Sequence, residues 1–401
     1  MTRHSGMLNV ECRAPGPPGG EGLSLRAGNS TVPRCSFSTR SGGSLSRGYG
    51  PLSRSAFPVP ASHLRRGVTL VELLVTMVII ALIAAAIMGT ASAAIEHGRR
   101  SHTQQLITRI HTLLMERWAS YESRRVEIDP RLVQQINVSF PETTPAGRQL
   151  RGQAMADLRL LGLRELIRYE MPDRFVDFGS FGSSPSLHTP YVLESPPALA
   201  QMYFRRVAQA GANIDNQDAE CLYMVVMFAT ADGEARTLFS SKDIADTDED
   251  GLPEFIDGWG KSIGWVRWAP GFVSDLQPLD PTTGLHSGEA DHDPFDVYRR
   301  DQQGVINPPA TQFPKDVAAH IQSIRQRNNS DLVSAYRLTP LVYSDGPDGE
   351  SGIYRVPTGN FVEQVPALDP YAIRPQAQYQ YGTIAFPELA KDNIHNHLIE
   401  Y

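Results

Sequence analysis

The most apolar stretch of the chain runs from Val68 to Met88, and Glu72 is its one charged side chain. About 20 such residues suffice to cross a bilayer as a helix. Beyond Met88 the pattern changes without an obvious stop. Leu106, Ile107, Ile110, Leu113, Leu114 and Trp118 recur at i, i+3, i+4 and i+7 spacing, with Gln, Arg and His between them. The two patterns predict one helix over 68–126, transmembrane over 68–88 and amphipathic over 89–126, ended by Asp129 and Pro130. Such a helix would be roughly 88 Å long at ~1.5 Å per residue. Gly89 and Gly98 fall near the junction, where each lowers helix stability by about 1 kcal/mol.

The rest of the chain is patterned in shorter pieces. Leu150–Arg168 reads as a second helix, ended by Met171 and Pro172. Strands are expected at Leu222–Ala229, Ala235–Phe239, Ile263–Trp268, Leu341–Tyr343 and Gly352–Val356. Residues 270–315 hold Pro, Gly and Asp throughout and read as a long ordered loop or insertion. The fold class that results is α+β: a long N-terminal helix packed by its second half on a small antiparallel sheet domain with large insertions. The domain over 127–401 is expected to be an extracytoplasmic α+β body.

Charge divides the chain at the same place as hydropathy. Residues 1–67 hold nine Arg, no Lys and two Glu, a net of +7, whereas the whole chain is −7, leaving −14 from Val68 onward. Residues 1–60 are rich in Gly, Ser, Pro and Arg without periodicity, which reads as a disordered basic leader. Arg65 and Arg66 stand directly before the apolar run and orient it with the C-terminal body outside the cytoplasm. So acidic a body is poorly suited to nucleic acid, and none is expected as a partner. Of the three cysteines, Cys12 and Cys35 lie in the leader, and Cys221 sits in an apolar run as an expected buried hydrophobe.

Gly67, Val68, Thr69, Leu70, Val71 and Glu72, followed by the apolar run, resemble the prepilin signature of type IV pilins and type II secretion pseudopilins. The resemblance implies a membrane peptidase that cuts after Gly67, removes residues 1–67 and methylates the new terminus at Val68. The family more often carries Phe or Met at that position. Glu72 matches the acidic residue at the fifth mature position. A carboxylate in hydrocarbon needs a partner, and the freed amine of Val68 on a neighbouring helix is a suitable one. Before the cut no such amine exists, so assembly would be coupled to processing. Three other readings fit less well. A secretory signal would use Ala91, Ser92 and Ala93 as its cleavage site, but its apolar core is ordinarily shorter. A plain anchor explains the length and not the Gly67–Glu72 spacing, and a core helix is seldom apolar on all sides for so long.

A second stretch suggests a hard cation. Asp246, Asp248 and Asp250 occupy positions 1, 3 and 5 of a calcium-type loop, Gly251 position 6 and Asp257 position 12, with Glu254 between. The stretch is similar to the calcium loops of EF-hands and dockerins, with Asp for Glu at the end and Pro253 where a helix should follow. The alternative is a solvated acidic turn between strands. Downstream, Asp257–Ile263 and Tyr343–Glu350 resemble two patches of the major pseudopilin domain, and the second resembles its calcium loop. Ser344, Asp345, Asp348 and Glu350 are therefore a second candidate calcium site, against the reading of a Gly/Pro turn.

Elsewhere, candidate chemistry is thin. Gly260, Lys261 and Ser262 echo a phosphate loop, but Phe255 stands at its first glycine position. His97, His102 and His111 are expected as solvated helix residues, and Trp259, Trp265 and Trp268 as packing between helix and sheet. No enzymatic activity is expected. The expected role is a structural pilin-like subunit, single-pass in the inner membrane with a periplasmic body. Its partners would be the prepilin peptidase, other pilin-like subunits and the inner-membrane assembly machinery of a type II secretion or related pilus system. The alternatives are a minor tip component that recognises cargo, and a solitary membrane-anchored binding or hydrolytic protein.

Overall fold

The structure, a computed structural model, describes residues 67–211, 214–229, 235–282, 284–286, 288, 291–301, 317–318, 335–355, 368–371 and 379–398. The leader before Gly67, with Cys12 and Cys35, lies outside the described residues, as do Val356 and residues 302–315 of the expected insertion.

One helix dominates. Helix α1 spans Leu70–Ser120, about 77 Å at ~1.5 Å per residue. Thr69 caps it, its hydroxyl accepting from the Glu72 amide while Glu72 returns a bond to the Thr69 amide. That reciprocal pair satisfies two donors that the first helical turn leaves open. Every large apolar side chain from Val68 to Ile95 is exposed, and burial starts at Thr103. From there Leu106, Ile107, Ile110, Leu113, Leu114 and Trp118 form the stripe that enters the core.

The helix stops six residues before the expected Val126. A 3₁₀ turn, Tyr121–Ser123, follows, and Arg124 turns extended. The cause is Glu170, a buried carboxylate that accepts from Tyr121 Oη at 2.7 Å, Arg124 Nη2 at 2.7 Å and Arg117. Arg117 reaches it from the last turn of α1, Tyr121 from the 3₁₀ turn and Arg124 from the extended residue after it. Residues 127–129 then run beside 192–194, with Ile128 bridged to Leu193. Pro130, expected as a stop, instead opens helix α2 (Pro130–Ser139), for which Asp129 is the cap. Proline's missing N–H costs nothing at that first position.

Helix α3, Pro145–Glu170, begins five residues earlier than the pattern suggested, capped by Thr144. It carries the body's polar framework. Arg164 pairs with Asp293 and Asp301, and Arg300 pairs with Asp157, so the long segment after Pro270 is pinned to α3 by buried ion pairs. Helix α4 (Ala198–Ala210) follows and ends at Gly211, whose φ of 75° closes it.

Two expected strands are helices. Leu222–Ala229 is the end of α5 (Gln217–Met224) and a π-helical turn, Val225–Ala229. Ala235–Phe239 contains the short α6 (Ala235–Leu238). Cys221, Leu222, Met224, Val225 and Val226 are all buried. A run greasy on every side gives no period to separate helix from strand. Gly352–Val356 yields only an isolated bridge, Ile353 to Ile384.

The sheets are small and antiparallel. β1 (Gly179–Ser180) pairs with β2 (Ser186–Leu187), and β3 (Ile244–Ala245) with β4 (Glu254–Phe255). The main sheet has β6 (Leu341–Ser344) at its centre, flanked by β5 (Gly264–Val266) and β7 (Ile394–His395). Its strands and α1 share one core, where Trp265 and Trp268 are buried and Trp259 packs at the edge. The α+β class is as expected.

His111 departs from expectation. It is 2% exposed rather than solvated, with its Nδ1 2.7 Å from Asn396 Nδ2. Burial lowers its pKa from 6.5 to about 4. The unfolded chain therefore takes up that proton first, and acid passing through 6.5 toward 4 favours unfolding. A His111→Gln variant removes this contribution. Its Tm relative to the wild type should rise as the buffer moves from about pH 7 to about pH 5. A difference that stays constant with pH would show that His111 titrates alike in both states.

Candidate functional site

The N-terminal site begins outside the helix. Gly67 and Val68 are exposed, and no atom lies within 4 Å of the place a side chain on Gly67 would occupy. The Gly67–Val68 bond thus precedes the capped first turn of α1. Glu72 lies one turn in, held by Thr69 through its backbone N–H at 3.2 Å and its hydroxyl at 3.4 Å. The span from Leu70 is long and apolar enough to cross a membrane, and none of its most apolar window is buried.

Where α1 leaves this free half, a turn of the body grips it. Gly258 N–H donates to Thr103 Oγ1 at 2.9 Å, and Trp259 Nε1 donates to both Glu96 carboxylate oxygens at 3.2 Å. His102 Nε2 lies 3.0 Å from Asp243. A side chain at Gly258 would meet the Arg99 backbone oxygen at 2.5 Å, so only glycine permits this approach. Asp257 shapes the turn. Its Oδ1 accepts from the Trp259 and Lys261 amides, and its Oδ2 accepts from Ser344 Oγ at 2.6 Å.

The acidic stretch is the loop of the β3–β4 hairpin, so Pro253 leads into a strand. Asp246 Oδ1 and Oδ2 accept from the Asp250 and Gly251 amides, and Glu254 Oε2 accepts from the Thr247 amide. Glu249 and Gly251 carry φ of 61° and 94°, closing the loop back on itself. Of the expected ligands, Asp246, Asp248 and Glu254 come together, each with a carboxylate oxygen within 4.8 Å of the others. Asp248 and Asp250 form a second such group with Glu220, which sequence spacing did not reveal. Glu220 lies on α5, 26 or more residues before the loop, and no linear motif links them. Neither group holds Asp257, whose carboxylate belongs to the docking turn.

Both buried glutamates are electrostatically frustrated. Burial, then Asp250, Asp248 and Glu254, push Glu220 up to about 10. Burial, with Asp248 and Asp246, raises Glu254 to about 7 against the bond from Thr247. The second candidate loop is arranged differently. Ser344 serves Asp257 and accepts from Gly346, and Asp348 accepts from the Glu350 amide. Asp345 is half-buried, and burial raises its pKa to about 6. Among the described residues, Asp345, Asp348 and Glu350 do not gather into a three-ligand group.

The family model for the prokaryotic N-terminal methylation motif matches residues 62–88. This chain carries a prepilin-type N-terminus. The match spans the Arg pair, Gly67, Glu72 and the apolar run to Met88. It implies processing by prepilin peptidase and a pilin-like context for the helix. No curated protein and no solved structure matches the chain.

In this prepilin-type chain the docking turn can be tested apart from processing. Gly258→Ala forces the turn off α1 and should lower stability by about 1–3 kcal/mol in denaturant unfolding. Trp259 emission should shift to the red as its contact with Glu96 opens. Unchanged stability and emission would mean that the turn does not hold the helix.

Proposed function

We propose that this chain is a non-enzymatic, pilin-like structural subunit, cut after Gly67 and carried into an envelope filament by its N-terminal helix. The observation that carries the reading is the division of α1: an exposed apolar half with one acid near its start, continuous with a half sunk in the body. In the membrane that free half is solvated by lipid. In a filament its neighbours would be the same halves of other pilin-like subunits. The Arg pair before Gly67 supports a body on the periplasmic side of the inner membrane. Prepilin peptidase and the inner-membrane assembly machinery of a type II secretion or related pilus system are the partners this role requires.

Glu72 has two separable jobs in this scheme. One is local, completing the cap with Thr69. The other is between subunits, pairing with the Val68 amine that processing frees. Glutamine serves the first as well as glutamate does, but carries no charge for the second.

The cleft between β5 and the 353–355 segment gives the solitary binding alternative some support, with a volume of about 360 Å³. Its charges, however, pair with one another, Asp173 with Arg174 and Asp218 with Arg355. It offers a ligand less than its size suggests.

Glu72→Gln should leave the mature terminus at Val68 while abolishing recovery of the chain in sheared filaments. N-terminal sequencing and filament fractionation read the two separately. Normal assembly of the variant would reject the charge pairing. A mature protein that retains the leader would reject the processing step itself.

A further inference from the structure

Glu220 is fully buried, and neither of its carboxylate oxygens has a hydrogen-bond partner. A buried carboxylate without a donor is costly, and the groups it faces make the position worse. Asp248 and Asp250 each bring a carboxylate oxygen within 4.8 Å of it, and Glu254 adds to the repulsion. Glu254 is equally buried, and its Oε1 also has no hydrogen-bond partner while Oε2 takes the Thr247 amide. Two fully buried acids from different elements thus keep unmet oxygens, and each groups with Asp248, which lies within 4.8 Å of both sets of carboxylate oxygens.

We propose that Glu220, Asp246, Asp248, Asp250 and Glu254 bind a calcium ion that joins helix α5 to the β3–β4 hairpin. The donor set is entirely carboxylate oxygen, which suits a hard cation and disfavours zinc, whose sites draw on Cys and His. Calcium accepts six to eight oxygens in loose geometry, whereas magnesium keeps several waters and uses one or two carboxylates. Two adjoining groups of three acids, with Asp248 in common, therefore favour calcium. The loop is already shaped for it, because Asp246 organises the Asp250 and Gly251 amides without any ion. The ion would sit beside Asp248, the carboxylate that the two groups share.

The site differs from the linear motif at both ends. Asp257, the twelfth loop position, is committed to the docking turn, and its place as the distant acidic ligand passes to Glu220. The ion would consequently hold together two segments far apart in sequence. The strand that supplies Glu254 runs directly into Asp257 and the turn that grips α1. Calcium occupancy is thereby coupled to how firmly the body holds its helix.

The test uses the full-length chain in detergent, stripped with chelator and titrated with calcium chloride. Wild-type Tm should rise with calcium and rise less with magnesium, because an ion that binds only the folded state stabilises it. Glu220→Gln keeps the shape and removes the charge. Its Tm should exceed the wild type's in chelator, fall below it in saturating calcium, and its calcium affinity should drop at least ~10-fold, about 1.4 kcal/mol. Asp345→Asn, in the other acidic loop, should leave the response unchanged. The proposal is overturned if calcium leaves the wild-type Tm unmoved, if Glu220→Gln responds as the wild type does, or if Asp345→Asn abolishes the response. None of these outcomes bears on processing at Gly67.

Discussion

A single helix here has to satisfy two solvents, and the stripe from Leu106 to Trp118 is what makes that possible. Those side chains remove one face of α1 from water, each contributing about 1.5–3 kcal/mol when fully buried. The rest of the body is arranged around that rod. Glu170 gathers Tyr121, Arg117 and Arg124 and so fixes where the helix ends. At the other end of the stripe, the Asp257–Lys261 turn closes over Arg99 and Thr103. Between these two clamps the apolar face is sealed, and before Glu96 every large apolar side chain of α1 is exposed.

The sequence was most legible where periodicity was long. Twenty apolar residues, then a stripe at helical spacing, left little choice for α1, and its cap was present in Thr69 and Glu72. Legibility failed where tertiary contacts overrode local pattern. Pro130 looks like a stop, yet it starts α2 because Asp129 caps it. Cys221–Phe228 has the composition of a strand, yet a run apolar at every position imposes no alternation and the chain winds as α5 and a π turn. β7 is only two residues long and could not have been seen before its partner, β6, was in place.

The candidate sites divide in the same way. Gly67, Val68 and Glu72 are consecutive enough to be read from one line of sequence. Of the alternate acids, Asp246 and Asp248 come together with Glu254, whereas Asp250 groups with Asp248 and Glu220. Asp257 was read as part of that series, but its geometry is that of a turn former with three donors of its own. Glu220 left no local trace, because its placement depends on how α5 packs against β4. His111 is a different case, because Ile107, Leu114 and Trp118 share its face of α1 at i−4, i+3 and i+7, so its burial follows from the stripe itself, with Asn396 as its polar neighbour.

The two halves of α1 share a backbone and no side-chain environment, and this has a practical corollary. The first residue the body touches is Glu96, through Trp259. A chain shortened to begin between Gly89 and Glu96 would shed its greasy portion and keep every buried contact, making a soluble fragment. Moving that boundary past Thr103 would strip away the ledge on which the Gly258 turn rests and open the apolar stripe to water.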